Sequence, residues 1–122
     1  MKGARLRRAG AAAVALLLPL AAAPAPAAPP LPLLTGNDLQ ARCAETPTSD
    51  PVLWGVCLGY VMGVAELAGQ GSVKPRACFS AQVTSGQMVD VVRQWLDRNP
   101  ARRHLPAAGL VATALQQAFP CR

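Results

Sequence analysis

The sequence predicts an all-α fold, a small four-helix bundle stapled by two disulfides. Three observations carry that expectation. Beyond position 34, apolar residues recur at spacings of three and four, and no alternating strand pattern occurs. Clusters of Pro, Gly, Ser, Thr and Asn divide the same region into four segments. The cysteines are four, an even number, and all lie beyond a stretch that reads as an export signal.

That stretch comes first. Lys2, Arg5, Arg7 and Arg8 make a basic start, residues 9–18 are uninterrupted small and apolar, and Pro19 breaks the run. This is the three-part form of a secretory signal peptide. The apolar run is too short for a membrane span, which needs about 20 residues. Ala25-Pro26-Ala27 ahead of Ala28 supplies the small residues that cleavage requires, so the signal peptide is placed at 1–27. Residues 28–34 read as a proline-rich extended lead-in, and 35–122 as one helical domain. The first cysteine, Cys43, lies far from the cleavage site, which argues against a lipid anchor. The expected compartment is the periplasm.

The charge balance changes once this segment is set aside. The chain carries 12 basic and 6 acidic residues, a formal +6, but four of the basic residues belong to the signal. Eight against six remain, a net +2. That is an ordinary surface, with no electrostatic footprint for DNA or RNA.

Each helix has its own start and stop. Asn37, with Gln40 three residues on, is expected to cap a first helix running to about Glu45. A dense turn over 46–51 follows, and Pro51 suits the first turn of a second helix reaching about Ala68, ended by Gly69-Gln70-Gly71-Ser72. Thr84-Ser85-Gly86-Gln87 is a capping-box pattern opening a third helix. Its Met88, Val91, Val92, Trp95 and Leu96 fall inward, its Asp90, Arg93, Gln94 and Asp97 outward, and Asn99-Pro100 stops it. Pro106 starts a fourth, with Leu110, Val111, Ala114, Leu115, Ala118 and Phe119 inward, and Pro120 ends it.

The second helix is unusual. No charge occurs from 52 to 65, and Gly55, Gly59 and Gly63 recur every four residues. Each glycine costs a helix up to about 1 kcal/mol relative to alanine, so three on one stripe predict close packing against another backbone. In a membrane such spacing marks helix dimerisation. Here the uncharged stretch spans only about 20 Å at 1.5 Å per residue, short of the ~30 Å hydrocarbon core. Leu53, Cys57, Tyr60 and Val64 form a second apolar stripe, so the expectation is a central helix wanted on two sides.

Cys43, Cys57, Cys78 and Cys121 behind a signal peptide favour disulfides. No pair has the short spacing of a zinc site, and no C-x-x-C redox motif occurs. In an antiparallel helix pair, residues equidistant from the turn face each other. Cys43 and Cys57 are symmetric about Asp50, and Cys78 and Cys121 about Asn99-Pro100. The expected bridges are therefore Cys43–Cys57 and Cys78–Cys121.

A search for catalysis finds little. His104 is the sole histidine, no serine sits in a nucleophile elbow, and the cysteines are better used as bridges. No catalytic residue, metal site or cofactor is expected. Glu66, at the end of an apolar run, is a candidate for partial burial.

The order of features resembles the Rap/Tai family of type VI secretion immunity proteins. The residues that carry the resemblance begin with Cys57-Leu58-Gly59-Tyr60-Val61-Met62-Gly63-Val64 and the later Val83-Thr84-Ser85-Gly86-Gln87. Trp95-Leu96, Asn99-Pro100, Pro106-Ala107-Ala108 and Ala118-Phe119-Pro120-Cys121 complete it, so that it covers the chain from about Leu34 to Cys121. Cys78-Phe79-Ser80 departs from the Cys-Leu/Ile-Pro segment usual there. The resemblance implies a small all-α periplasmic protein with two disulfides, often a homodimer. It also implies a partner, a secreted peptidoglycan amidase whose active-site cleft the immunity protein occludes without catalysing any reaction. The matching residues are scaffold, so no specificity residue carries over. The candidate partner-binding loop is 98–104, with Arg98, Asn99, Arg102, Arg103 and His104, because it combines reach with three arginines and a histidine. An acid-stress chaperone of the HdeA kind, or a general envelope protein, is the alternative. No nucleic acid and, after signal cleavage, no membrane is expected as a partner.

Overall fold

The computed structural model describes residues 33–122, together with 22–27, Gly3 and Gly10. Most of the expected signal segment, 1–27, lies outside the described residues. Four helices run in order: α1 (Gly36–Cys43), α2 (Pro51–Gln70), α3 (Ser85–Arg98) and α4 (Ala107–Ala118), with a short 3₁₀ turn, Pro100–Arg102, between the last two. Among the described residues there is no β-strand beyond one isolated bridge, Thr35 to Pro106.

α1 is capped two residues earlier than the local pattern implied. Thr35 is the N-cap; its hydroxyl accepts from the Asp38 amide, and the Asp38 carboxylate accepts in return from the Thr35 amide. Asn37 lies inside the first turn, because its amide donates at 2.9 Å to the Arg103 carbonyl and the Gly36 amide donates at 3.0 Å to that of Leu105. Gly36 is required here. A Cβ on it would sit 2.5 Å from Leu110 Cδ1 and 2.9 Å from the Arg103 backbone.

α2 begins at Pro51, with Asp50 accepting from the Val52 and Leu53 amides, and ends at Gly71 in the left-handed conformation, φ 80°. That conformation is open to glycine at no steric cost. α3 opens with the expected box: Thr84 caps the Gln87 amide, and the Gln87 side chain accepts from the Thr84 amide at 2.8 Å.

The core is built from all four helices, with Leu39, Leu96, Leu115, Val61, Val92 and Val111 fully buried. On α3 the inward set is Met88, Val89, Val92, Trp95 and Leu96; Val89 takes the place expected for Val91, which is half-buried. On α4, Ala118 is exposed where burial was expected, because the helix ends there and the chain turns away to Cys121. Both disulfides have the expected pairing. Cys43–Cys57, with Cα atoms 5.1 Å apart, is buried in the core, whereas Cys78–Cys121, at 5.0 Å, lies on the surface.

Candidate functional site

The corner where α3 passes through the 3₁₀ turn into α4 holds the candidate loop. Its backbone is fixed from two sides. The first turn of α1 pairs with it, Asn37 donating at 2.9 Å to the Arg103 carbonyl, and just beyond it Ala107 of α4 donates at 2.7 Å to the Leu34 carbonyl. The C-terminal carbonyls of α3 receive donors from within the loop itself: Asn99 Nδ2 reaches the Trp95 carbonyl at 2.7 Å, Arg103 Nε the Leu96 carbonyl at 2.7 Å, and Arg103 Nη2 the Asp97 carbonyl at 3.2 Å. Helix ends leave such carbonyls unpaired, and a cation there also meets the negative end of the helix dipole. So the five loop residues divide by task. Asn99 and Arg103 close α3. Arg102 lies over the Trp95 ring, its guanidinium carbon 5.3 Å from the ring centroid. Arg98 and His104 are exposed, and among the described residues their side chains donate no hydrogen bond.

Two concavities flank this Arg102–Trp95 stack. One, of about 340 Å³, lies between α3 and α4 and is lined by Gln94, Trp95, Arg98, Asn99 and Gln117 among others. Its wall is fixed by the Trp95 indole N–H, which donates at 2.8 Å to Gln117 Oε1. The other, also about 340 Å³, sits between the loop after α2 and the start of α4, with Lys74, Arg102, Leu105 and Leu110 in its walls. Neither lining contains an Asp or Glu.

The α2 glycines are placed otherwise than the close-packing expectation had it. No atom outside the immediate helix comes within 4 Å of a Cβ built on Gly55, Gly59 or Gly63. α2 contacts α1, α3 and α4, but only through the side carrying Cys57, Val61, Val64, Ala65 and Ala68. Its opposite side, Val52, Gly55, Val56, Gly59, Gly63 and Leu67, is exposed. The three other helices are short and crowd one side of a 20-residue partner, leaving the glycine stripe uncovered among the described residues. Glu66 is exposed on the same side, where Gln70 donates to it at 3.4 Å. By length and composition α2 is apolar enough to cross a membrane, yet its inner side is part of the protein core and is bridged to α1. Beside Gly63 and Glu66 a further groove of about 480 Å³ is lined by Met62, Phe79 and Met88.

Titratable chemistry is sparse. The Asp38 carboxyl is held below its usual range by hydrogen bonds from the Thr35 hydroxyl and amide, and burial pushes the Tyr60 hydroxyl up. Among the described residues no three His, Cys, Asp or Glu side chains come together as a metal site would require.

Sequence comparison bears on what such a scaffold is for. No curated protein and no solved structure matches the chain. The family model described as Rap1a immunity proteins matches residues 35–121, from the α1 N-cap to the last cysteine of the second bridge. With that match spanning all four helices and both disulfides, the chain belongs to the Rap1a immunity protein family.

Proposed function

We propose that this immunity protein is exported to the periplasm by residues 1–27 and there neutralises a peptidoglycan amidase toxin delivered by type VI secretion. It does so by occluding the toxin's active-site cleft, and it performs no reaction. The observation that carries the reading is the family match over 35–121, which makes the chain a toxin-binding immunity protein. A protein that inhibits by occlusion needs a rigid projecting surface, since ordering a loop on binding costs affinity. The 98–104 corner offers an exposed surface held in place, because Arg103 and Asn99 anchor it to α3 and the first turn of α1 anchors it from the other side. The test is a titration of the amidase encoded beside this gene against purified protein, following release of peptidoglycan fragments. Activity falling to zero at one equivalent supports the reading; undiminished hydrolysis at tenfold excess refutes it.

The exposed side of α2 supports a homodimer as part of the same reading. A two-fold interface brings each residue i against j and j against i. Crossing two α2 helices at Gly59 sets Gly59 on its counterpart and Gly55 on Gly63 of the partner subunit, so that backbones approach without a Cβ between them. Val52 and Val56 then fall toward the Met62–Phe79–Met88 groove of the other copy. Sedimentation equilibrium checks the state directly, and a strict monomer at about 100 μM, well above a Kd of about 1 μM for a modest interface, rejects the dimer.

A further inference from the structure

We infer that the two grooves flanking the Arg102–Trp95 stack form one docking surface for a protein loop that carries carboxylates beside apolar side chains. The inference rests on the inhibitor reading above and adds to it the chemistry of the partner. From Arg98 to the end of the chain there are four arginines and no Asp or Glu. The one carboxylate–guanidinium pair among the described residues, Arg93 with Asp90 at 3.7 Å, lies elsewhere on α3. Asp97, next to Arg98 in sequence, is turned toward α1, where its carboxylate accepts from Gln40 at 2.6 Å. Lys74, Arg98 and Arg102 are therefore left without a carboxylate on this chain, and all three line these two concavities.

The remaining lining points the same way. Gln117 uses its oxygen to accept from Trp95, which leaves its amide N–H groups as the part free to act in the groove. Arg102 places its guanidinium carbon 5.3 Å from the centroid of an aromatic ring, a contact that uses none of its N–H groups and leaves them available for a bidentate carboxylate. The charged groups on offer are all donors, with the oxygens of Asn99 and Gln94 as neutral acceptors beside them. The walls around them, Val91, Trp95 and Ala114 on one side and Leu105 and Leu110 on the other, are apolar. Three cations set in apolar walls suit an acidic protein segment with hydrophobic neighbours. They do not suit a nucleic acid, which calls for a longer basic track. Trp and Arg held in a fixed stack are also the residue types on which binding energy concentrates.

Two measurements test this. The first needs no toxin: a ten-residue peptide of alternating leucine and glutamate is added to ¹⁵N-labelled protein. Shifts centred on the Trp95 indole N–H and the Gln117 side chain are expected. They should be lost in an Arg98→Glu/Arg102→Glu variant and absent with the leucine–lysine peptide. Shifts centred elsewhere, equal shifts with the lysine peptide, or none at millimolar peptide overturn the inference. The second measures amidase affinity: the double reversal should weaken binding at least tenfold, while Thr48→Glu on the far turn leaves it unchanged. Arg98→Gln/Arg102→Gln, which removes charge without adding any, should give an intermediate loss, and circular dichroism verifies that each variant is folded. If the double reversal binds the amidase as wild type does, this inference fails and the inhibitor reading stands. If wild type binds the peptide but no amidase, the inhibitor reading fails alone.

Discussion

Arg103 and Arg102 are neighbours in sequence, and replacing each by alanine is expected to have opposite consequences. Arg103 donates from Nε to the Leu96 carbonyl at 2.7 Å in a partly buried setting and from Nη2 to the Asp97 carbonyl at 3.2 Å nearer solvent. A hydrogen bond from a charged donor contributes about 1.5–3 kcal/mol where partly buried, and the exposed one about 0.5. Arg103→Ala thus removes about 2 kcal/mol, since the Leu96 carbonyl loses its short charged donor and keeps only the 3.3 Å bond from the Asn99 amide. With a urea slope near 1 kcal/mol/M for a domain this small, the unfolding midpoint should fall by roughly 2 M. Arg103→Lys should recover about half, because an ammonium lacks the planar fork that reaches two carbonyls at once. Arg98→Ala and Arg102→Ala should stay within about 1 kcal/mol of wild type, since the first has no partner on the chain and the second loses one exposed cation–π contact. An Arg103→Ala protein whose urea curve overlays wild type refutes the anchoring argument. The point matters for function, because loss of inhibition in Arg103→Ala reports a loosened corner, whereas the same loss in Arg102→Ala reports a lost contact.

Removing each disulfide separates two sources of stability. Loop entropy alone ranks Cys78–Cys121, at a sequence separation of 43, above Cys43–Cys57 at 14, at about 4 against 3 kcal/mol. The shorter bridge is buried, so its double alanine variant also loses core packing worth about 2 kcal/mol, and denaturant unfolding should find it the more damaging. Gly55→Ala, Gly59→Ala and Gly63→Ala should each raise monomer stability by up to about 1 kcal/mol, since open space surrounds the new methyl, while Gly59→Leu abolishes any dimer in sedimentation. A drop in thermal midpoint for the alanine series contradicts this placement. Asp38 has a depressed folded pKa, so its hydrogen bonds stabilise the fold at pH above the unfolded value near 4 and cease to as pH falls toward the folded one. The stability gap between wild type and Asp38→Asn should accordingly narrow below about pH 4 and be constant from pH 5 to 7.

How much of this was legible beforehand depended on the range of the interaction concerned. The α3 box is local, its four residues signalling one another, and it stands where the pattern predicted. The disulfide pairing was also legible, because antiparallel hairpins make distance from the turn a guide to contact. The α1 cap was not. Asn37-x-x-Gln40 fits the local rule, but bonds from Gly36 and Asn37 to carbonyls beyond position 100 place Asn37 inside the first turn and leave Thr35 as the cap. The α2 glycines meet the same limit, for packing inside the chain. Three in register along α2 drew the expectation of close packing, yet the backbone approach that excludes a Cβ is at Gly36, against Arg103 and Leu110.

The candidate loop shows where such limits fall within a single motif. That residues 98–104 are basic and exposed is written in their composition. Which arginine holds the fold and which is free for a partner is not, since Arg102 and Arg103 differ only by one step around a 3₁₀ turn. That step sends Arg103 back under the end of α3, where it donates to the Asp97 carbonyl and adds a second donor to the Leu96 carbonyl beside the Asn99 amide, and sets Arg102 over Trp95. A carbonyl left over at a helix end draws the nearest cation with suitable geometry, so the fold takes Arg103, and what remains to recognise a partner is the set it did not use: Arg98, Arg102 and Lys74 around two apolar grooves.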